Sequence, residues 1–374
     1  MSHLKFPEFD DIPVSTKTII VKLNIVIDLA RLVESLPFVK YVIIPKRRGR
    51  KKKDPPPDPN EGIPSGSIIT LQFGDILRGV DLKQRKKDNN KAPKKRGFFR
   101  NAATIVMVID GKNINFKVCH NGKFQMTGCK SDEHAKMVVK YMWDYIRNFP
   151  DIYSFEDGCD NFEAILVPAM RNIDFSLGFY VNREELDSYI NEETEYTSLL
   201  ETSFGYTGVN IKIPMNKDIR SLRLEKMICI DKTDINGYSR VEGEEELVKD
   251  SVNGGSDDKW DITNVLYDEF LDTLSQKDRD KKLNKERNNT FLVFHSGKII
   301  LSGLCPEVQR DVYYEFLNII RESYKWIEER LDDDFEDRPR RNKCITKNCD
   351  SDGYYDWENE VEDPPVIPEG YHPI

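Results

Sequence analysis

Apolar residues recur every second position in some stretches of this chain and every third or fourth in others, the two periods that separate strands from amphipathic helices. Residues 15–27 are rich in β-branched side chains and read as a strand. Residues 28–36 read as a short helix with Leu29, Leu32, Val33 and Leu36 on one side, and residues 38–44 as a further strand. A short apolar segment at 68–73 precedes three predicted strands at 102–109, 113–119 and 124–128. In the last of these Phe124 and Met126 share one face, while Lys123, Gln125 and Thr127 share the other. Ser131 is placed to cap a helix reaching about Phe149, with Asp132 and Glu133 favouring its positive end. Val138, Val139, Met142 and Ile146 form its apolar stripe.

The second half follows the same order. A strand at 164–174, a helix at 183–190 and strands at 208–213, 291–294 and 299–301 lead to a helix that Pro306 opens, Pro being suited to a first turn. That helix is expected to run to about Leu331, with Val308, Val312, Phe316, Ile319, Ile320 and Ile327 on its buried side. Between the halves of this second series lies an insertion, acidic around 242–246 and with a predicted helix at 262–282.

One phrase carries the correspondence most clearly. Residues 119–128 read Cys-His-Asn-Gly-Lys-Phe-Gln-Met-Thr-Gly, and residues 294–303 read Phe-His-Ser-Gly-Lys-Ile-Ile-Leu-Ser-Gly. The offset is 175, His295 minus His120, and His, Gly, Lys and the last Gly coincide. Strand-like residues on both sides of a polar turn predict a hairpin. The spacing points to a duplicated unit rather than a short-period solenoid. The expected organisation is a first unit over 1–150 with basic loops at 45–65 and 81–97, a second over 151–331 with the acidic insertion 215–290, and an acidic, disordered tail over 332–374. The fold class expected is α+β, an antiparallel sheet with helices on one face and the other face open.

Charge sharpens this picture. The net charge of −9 hides a division: residues 1–150 carry 29 Lys+Arg against 15 Asp+Glu, and the remainder carries 27 against 50. Such asymmetry points to a polyanion contact at one end and a solvating or protein-binding surface at the other. Seven cysteines without dense spacing fit a reducing compartment better than a disulfide scaffold. Cys344 and Cys349 lack a second ligand pair nearby and read as ordinary thiols. With no signal-like start and no apolar run of membrane-spanning length, an intracellular protein without membrane contact is expected.

In the second hairpin the alternation places Phe294, Ser296, Lys298, Ile300 and Ser302 on one face, with Leu292, and turns Ile299 and Leu301 to the other. An apolar stripe bordered by Lys and Ser suits a DNA minor groove: apolar groups lie on sugars and between bases, hydroxyls meet base-edge acceptors, and ammonium groups meet phosphates. Cover by the insertion or by a partner is the competing account of the same stripe.

With its twofold order and a Phe-x-Ser-Gly-Lys-φ-φ-φ-Ser-Gly phrase before a long helix, the chain resembles the TATA-box-binding protein family. The resemblance covers roughly 15–149 and 160–331, and its long insertions and basic loops resemble a divergent branch of the kind large DNA viruses encode. It implies two pseudo-symmetric repeats forming a saddle-like curved sheet with helices on the convex face. It further implies a transcription initiation factor that binds and bends AT-rich duplex DNA, since the family kinks the duplex by inserting phenylalanine wedges from the minor groove. Phe294 matches one wedge and Tyr206 its companion, with Phe204 as an alternative. In the first half Cys119 stands where a wedge belongs, Phe116 is displaced beside it, and Phe98 or Phe99, next to Arg100, can substitute. Lys123 and Lys298 match phosphate-facing lysines, Thr127, Ser296 and Ser302 match groove hydroxyls, and Gln125 replaces the apolar residue matched by Ile300. Thr18 and Leu166 stand where the family has asparagines at the middle of the bound site, a departure that bears on sequence preference.

The resemblance also implies general transcription factors and RNA polymerase subunits as partners, and a nuclear location, or for a viral protein a cytoplasmic factory or virion. An interaction platform of the same fold without DNA bending is the alternative. Neither a nucleotide-binding Gly-rich loop, nor His-Glu-x-x-His, nor a dense metal-ligand cluster is present in the sequence. No catalytic residue, metal or cofactor is therefore expected.

Overall fold

The computed structural model describes residues 4–43, 58–82, 101–156, 158, 161–200, 208–230 and 259–329. The basic runs at 46–53 and 83–96, Phe98, Phe99, Arg100, Phe204, Tyr206, the acidic stretch at 242–246 and the tail from 332 lie outside them. A short 3-10 helix, Phe9–Asp11, leads into β1 (Val14–Leu23) and β2 (Ile25–Ile27). Helix α1 (Leu29–Ser35) is opened by Asp28, whose carboxylate accepts the N–H groups of Ala30 and Arg31. Next come β3 (Ile68–Phe73), β4 (Ile76–Gly79), β5 (Ala102–Ile109), β6 (Lys112–Cys119), β7 (Lys123–Cys129) and α2 (Asp132–Ile146). The second series is β8 (Tyr153–Phe155), β9 (Glu163–Ser176), α3 (Arg183–Glu193), β10 (Thr197–Leu200) and β11 (Gly208–Pro214). The insertion supplies β12 (Arg223–Ile230), β13 (Lys259–Leu266), α4 (Tyr267–Asp272) and α5 (Gln276–Leu283), and the chain returns as β14 (Asn288–Phe294), β15 (Lys298–Gly303) and α6 (Pro306–Ile327).

A large antiparallel sheet runs in the order β10-β11-β14-β15-β9-β1-β7-β6-β5-β3-β4. β1 and β9 are neighbours at its middle; outward from β1 come β7, β6 and β5, and outward from β9 come β15, β14 and β11. Lys17 of β1 pairs with Arg171 of β9, so both side chains point to one face. Lys17 reaches Asp132 at the start of α2 at 2.7 Å, and Arg171 donates to Gln309 of α6 at 2.6 Å. Both long helices therefore cover that face.

Two cores lie beneath them. Ile19, Val21 and Leu23 pack with Phe116, Phe124, Met126 and the apolar stripe of α2. Ile173, Phe175, Val209, Ile211, Phe291, Val293, Ile299 and Leu301 pack with Val312, Phe316, Ile319 and Ile320 of α6. Each such side chain, fully buried, stabilises by roughly 1.5–3 kcal/mol. Phe9 and Ile12 belong to the second core. Phe9 lies 5.6 Å from the Tyr313 ring, the Tyr313 hydroxyl donates to the Pro7 carbonyl at 2.6 Å, and Arg310 holds Asp10 in a bidentate pair.

The repeated phrase makes the same backbone contacts in both places. The carbonyl of His120 accepts the N–H of Ile27 at 2.8 Å, and that of Gly122 accepts the N–H of Leu23 at 2.9 Å. The carbonyl of His295 accepts the N–H of Val181 at 2.8 Å, and that of Gly297 accepts the N–H of Leu177 at 2.8 Å. Both glycines have left-handed φ, 68° and 73°, and a Cβ would lie 2.2 Å from the Ile25 carbonyl oxygen or 2.1 Å from that of Phe179. The turn is thus pressed onto the chain leaving the end of a central strand, which only glycine permits.

Elsewhere the structure departs from the sequence pattern. The strand expected over 15–27 breaks at Asn24, whose side chain donates to the Asn161 carbonyl and accepts the N–H of Glu163. Residues 38–43 form no strand; Val39 makes one backbone bond to Ile68. The helix expected over 262–282 starts as strand β13, because its backbone pairs with β12, and is then split into α4 and α5. Ser131 precedes α2, but its hydroxyl makes no cap bond.

Gly122→Ala and Gly297→Ala should each lower the free energy of unfolding measured in urea, by about 2 kcal/mol or more given left-handed strain plus the carbonyl clash. Gly111→Ala, at a similar φ of 72° with nothing near its Cβ, is the control and should cost less.

Candidate nucleic-acid interface

The remaining side chains of the strands occupy the face away from α2 and α6. At its middle, Thr16 of β1 is opposite Asn172 of β9, and Thr18 is opposite Met170. Ser302 flanks Asn172 on β15, and Thr127 lies on β7 where its register against β1 shifts. In the second series Ile300 lies between Asp174 and Leu292, Leu292 is opposite Asn210, and Asn210 is opposite Leu199. Phe294 is opposite Gly208, where a Cβ would come within 2.9 Å of the Leu292 side chain. Leu292, Phe294, Ile300 and Ser302 are half-buried and Lys298 is exposed. Leu199 is 60% exposed and Met170 37%. Phe294, Ser296, Lys298, His295 and Arg183 line an open hollow of about 600 Å³.

In the first series Lys123 is opposite Lys22, Gln125 lies between Ile20 and Lys117, and Thr127 is opposite Asn115. The Thr127 hydroxyl donates to the Asn115 carbonyl at 3.3 Å. Cys119 is half-buried, and burial pushes its thiol pKa up, which disfavours thiolate chemistry.

Several expected positions change. Leu166 is only 5% exposed and belongs to the core on the helix-covered face. Register shifts between Val14 and Thr16 and between Thr18 and Ile19 move Met170 and Asn172 to the middle instead. Asn172, opposite Thr16, is a residue that the sequence reading did not single out, and its Oδ1 is buried without a protein partner. Pro168, in the interval of β9 between its pairings with β12 and β15, was the sequence signal of an interrupted ladder. Phe116 is fully buried and stacks on Phe124 at 5.8 Å, so it is a core residue and no wedge. Ser296 sits in the turn and not on a strand face.

The face is not uniformly open. Ile165 and Val167 point to it, yet are 8% and 2% exposed. Leu222, Leu224, Tyr267, Phe270 and Leu271 of the insertion bury them, with Ile20 packed alongside. β12 hydrogen-bonds to β9 from Glu225↔Leu166 to Ile228↔Glu163, and Glu225 joins Glu133 on the Lys136 ammonium at 2.9 and 2.8 Å. Burial opposes the Lys136 charge, and the two carboxylates more than offset it, so its pKa rises. On α5, burial pushes the Lys282 ammonium pKa down, and the nearby Lys123 charge adds to that effect. The insertion thus reaches the first-series side of this face. Val39, Tyr41 and Ile63 similarly cover Ile69, Val106 and Val108 at its outer end.

Among the described residues no helix is long and apolar enough to cross a membrane, and no group of three or more His, Cys, Asp or Glu could hold a metal ion.

No protein-family model matches the chain. Over 248 residues it is 24% identical to the uncharacterized protein 335L of Invertebrate iridescent virus 6, covering 63% of this chain and 64% of that protein. The chain thus spans a little under two thirds of the length of this relative. Among solved structures it is similar to Methanococcus jannaschii TBP at a TM-score of 0.39 and 12% identity, over 84% of this chain and 99% of that one.

Replacing Lys123 by Gln removes a like charge, so the Lys282 ammonium should titrate at higher pH in side-chain NMR; an unchanged titration would separate α5 from β7. Phe270→Ala should cost about 3–5 kcal/mol in chemical unfolding, as expected for a buried aromatic truncated to a cavity.

Proposed function

We propose that this protein is a TATA-binding-like transcription initiation factor that binds duplex DNA through its minor groove, using the sheet face away from α2 and α6. In this reading the two series of strands are pseudo-symmetric repeats of a saddle. The observation that carries it is the arrangement around the centre: Thr16, Thr18, Thr127, Asn172 and Ser302 in the middle, Leu292, Ile300 and Phe294 beside them, and Lys298 at the border. The hydroxyls of Thr16, Thr18 and Ser302 and the amide N–H group of Asn172 are donors that suit the acceptors A·T pairs present in the minor groove, where G·C pairs add the guanine amino group. Aliphatic groups suit sugars, Phe294 suits a base step, and the lysine suits phosphate. Bending offsets its unstacking cost of a few kcal/mol through these added contacts. General transcription factors and polymerase subunits are the partners this role calls for, and no catalysis is assigned.

A second reading has a specific observation behind it. The insertion's burial of Ile165 and Val167 fits a platform that recruits transcription proteins without wrapping DNA.

Fluorescence anisotropy on AT-rich and GC-rich duplexes across a salt series tests the first reading. Binding that favours the AT-rich duplex and weakens steeply with salt is expected; absence of binding to either at low salt rejects it. Lys298→Gln should reduce the slope of log affinity against log salt by about 1. Phe294→Ala should lower energy transfer between dyes at the duplex ends, whereas the platform reading predicts that partner capture survives this change.

A further inference from the structure

We infer that DNA contact is one-sided: the duplex is gripped and kinked by the second series of strands, and the insertion stands where a symmetric saddle would grip the other half. This rests on the DNA-binding reading above.

Three independent features point to it. The insertion buries Ile165 and Val167 on the contact face, packs on Ile20 and brings Lys282 of α5 close to Lys123. By the alternation and pairing of the central strands, Lys123 holds the same place beside β1 as Lys298 holds beside β9, with Ile20 corresponding to Asp174. Lys298 is exposed, whereas Lys123 is half-buried, and the Lys282 ammonium of α5 feels its charge. Second, the cover is built into the sheet. β12 is laddered to β9, and Glu225 is fixed by Lys136 of α2, so moving it breaks backbone hydrogen bonds, an ion pair and a buried apolar cluster together. A loosely attached lid would show none of these. Third, the described strands on that side carry no wedge. Alternation turns Ala102, Thr104, Val106 and Val108 of β5, Asn113, Asn115, Lys117 and Cys119 of β6, and Lys123, Gln125 and Thr127 of β7 to the contact face. None is aromatic, and Phe116 and Phe124 are locked in the helix-side core. The other side has Phe294 over the hollow at Lys298.

The chemistry selected is therefore a short AT-rich half-site in duplex DNA, with one kink near its Phe294 end.

The full-length chain, carrying a photoactivatable crosslinker on Lys298→Cys or on Lys123→Cys, is mixed with an AT-rich duplex under conditions where it binds. Sites of crosslinking are mapped, and hydroxyl-radical footprints are taken in parallel. Expected is efficient crosslinking from position 298, at least tenfold less from 123, and a footprint on one side of the crosslink. Comparable crosslinking from both positions with a symmetric footprint overturns the one-sided mode and leaves DNA binding standing. Failure of the unmodified chain to bind any duplex at low salt overturns both. Phe294→Ala, which leaves the sheet core untouched, should abolish the single kink seen by 2-aminopurine unstacking; a second, Phe294-independent kink would also overturn the proposal.

Discussion

The pressing of a four-residue turn onto the end of a central strand is the constraint from which the rest of this sheet follows. Twice, a His-x-Gly-Lys turn gives the carbonyls of its His and Gly to backbone N–H groups of the chain leaving β1 or β9. The contact fixes where the hairpin β6–β7 lies against β1, and where β14–β15 lies against β9. That placement decides which side chains share a face, because a one-residue slip would exchange every inward and outward position. The glycine enters because no Cβ fits beside the carbonyl oxygen it meets, and its left-handed φ closes the turn. The His side chains matter less: His120 bonds the Ile27 carbonyl, whereas His295 reaches Glu329.

Much of this was legible in sequence because it is local. Period-two alternation at 291–301 correctly separates Phe291, Val293, Ile299 and Leu301, all buried, from Leu292, Phe294 and Ile300, all half-buried. Asp28 and Pro306 mark helix starts by the chemistry of unpaired N–H groups. The centre was not legible. Two register shifts between β1 and β9 change which residues meet without changing the composition of either strand, so a ruler laid along the sequence selected Leu166 and passed over Asn172.

The insertion was illegible for a different reason. Residues 259–266 include Trp260, Ile262 and Val265, a spacing that helix and strand both tolerate, and only the partner decides between them. That partner is β12, itself held on β9 beyond the last residue that β15 reaches. An open edge on one strand, far back in the chain, therefore determined the structure of this segment, and no local pattern could announce it.

The docking of the N-terminal segment onto α6 has a consequence for the order in which the chain is completed during synthesis. Phe9 and Ile12 belong to a core whose other members include Tyr313, Phe316 and Ile320, and Asp10 waits for Arg310. β1 likewise lacks its neighbour β9 until the second series begins to emerge. Contacts spanning about three hundred residues are slow to close, and an unpaired strand edge can meet another chain meanwhile. Residues 9–12 are synthesised about three hundred residues before the side chains of α6 that bury and pair them, so this part of the core stays open until α6 arrives.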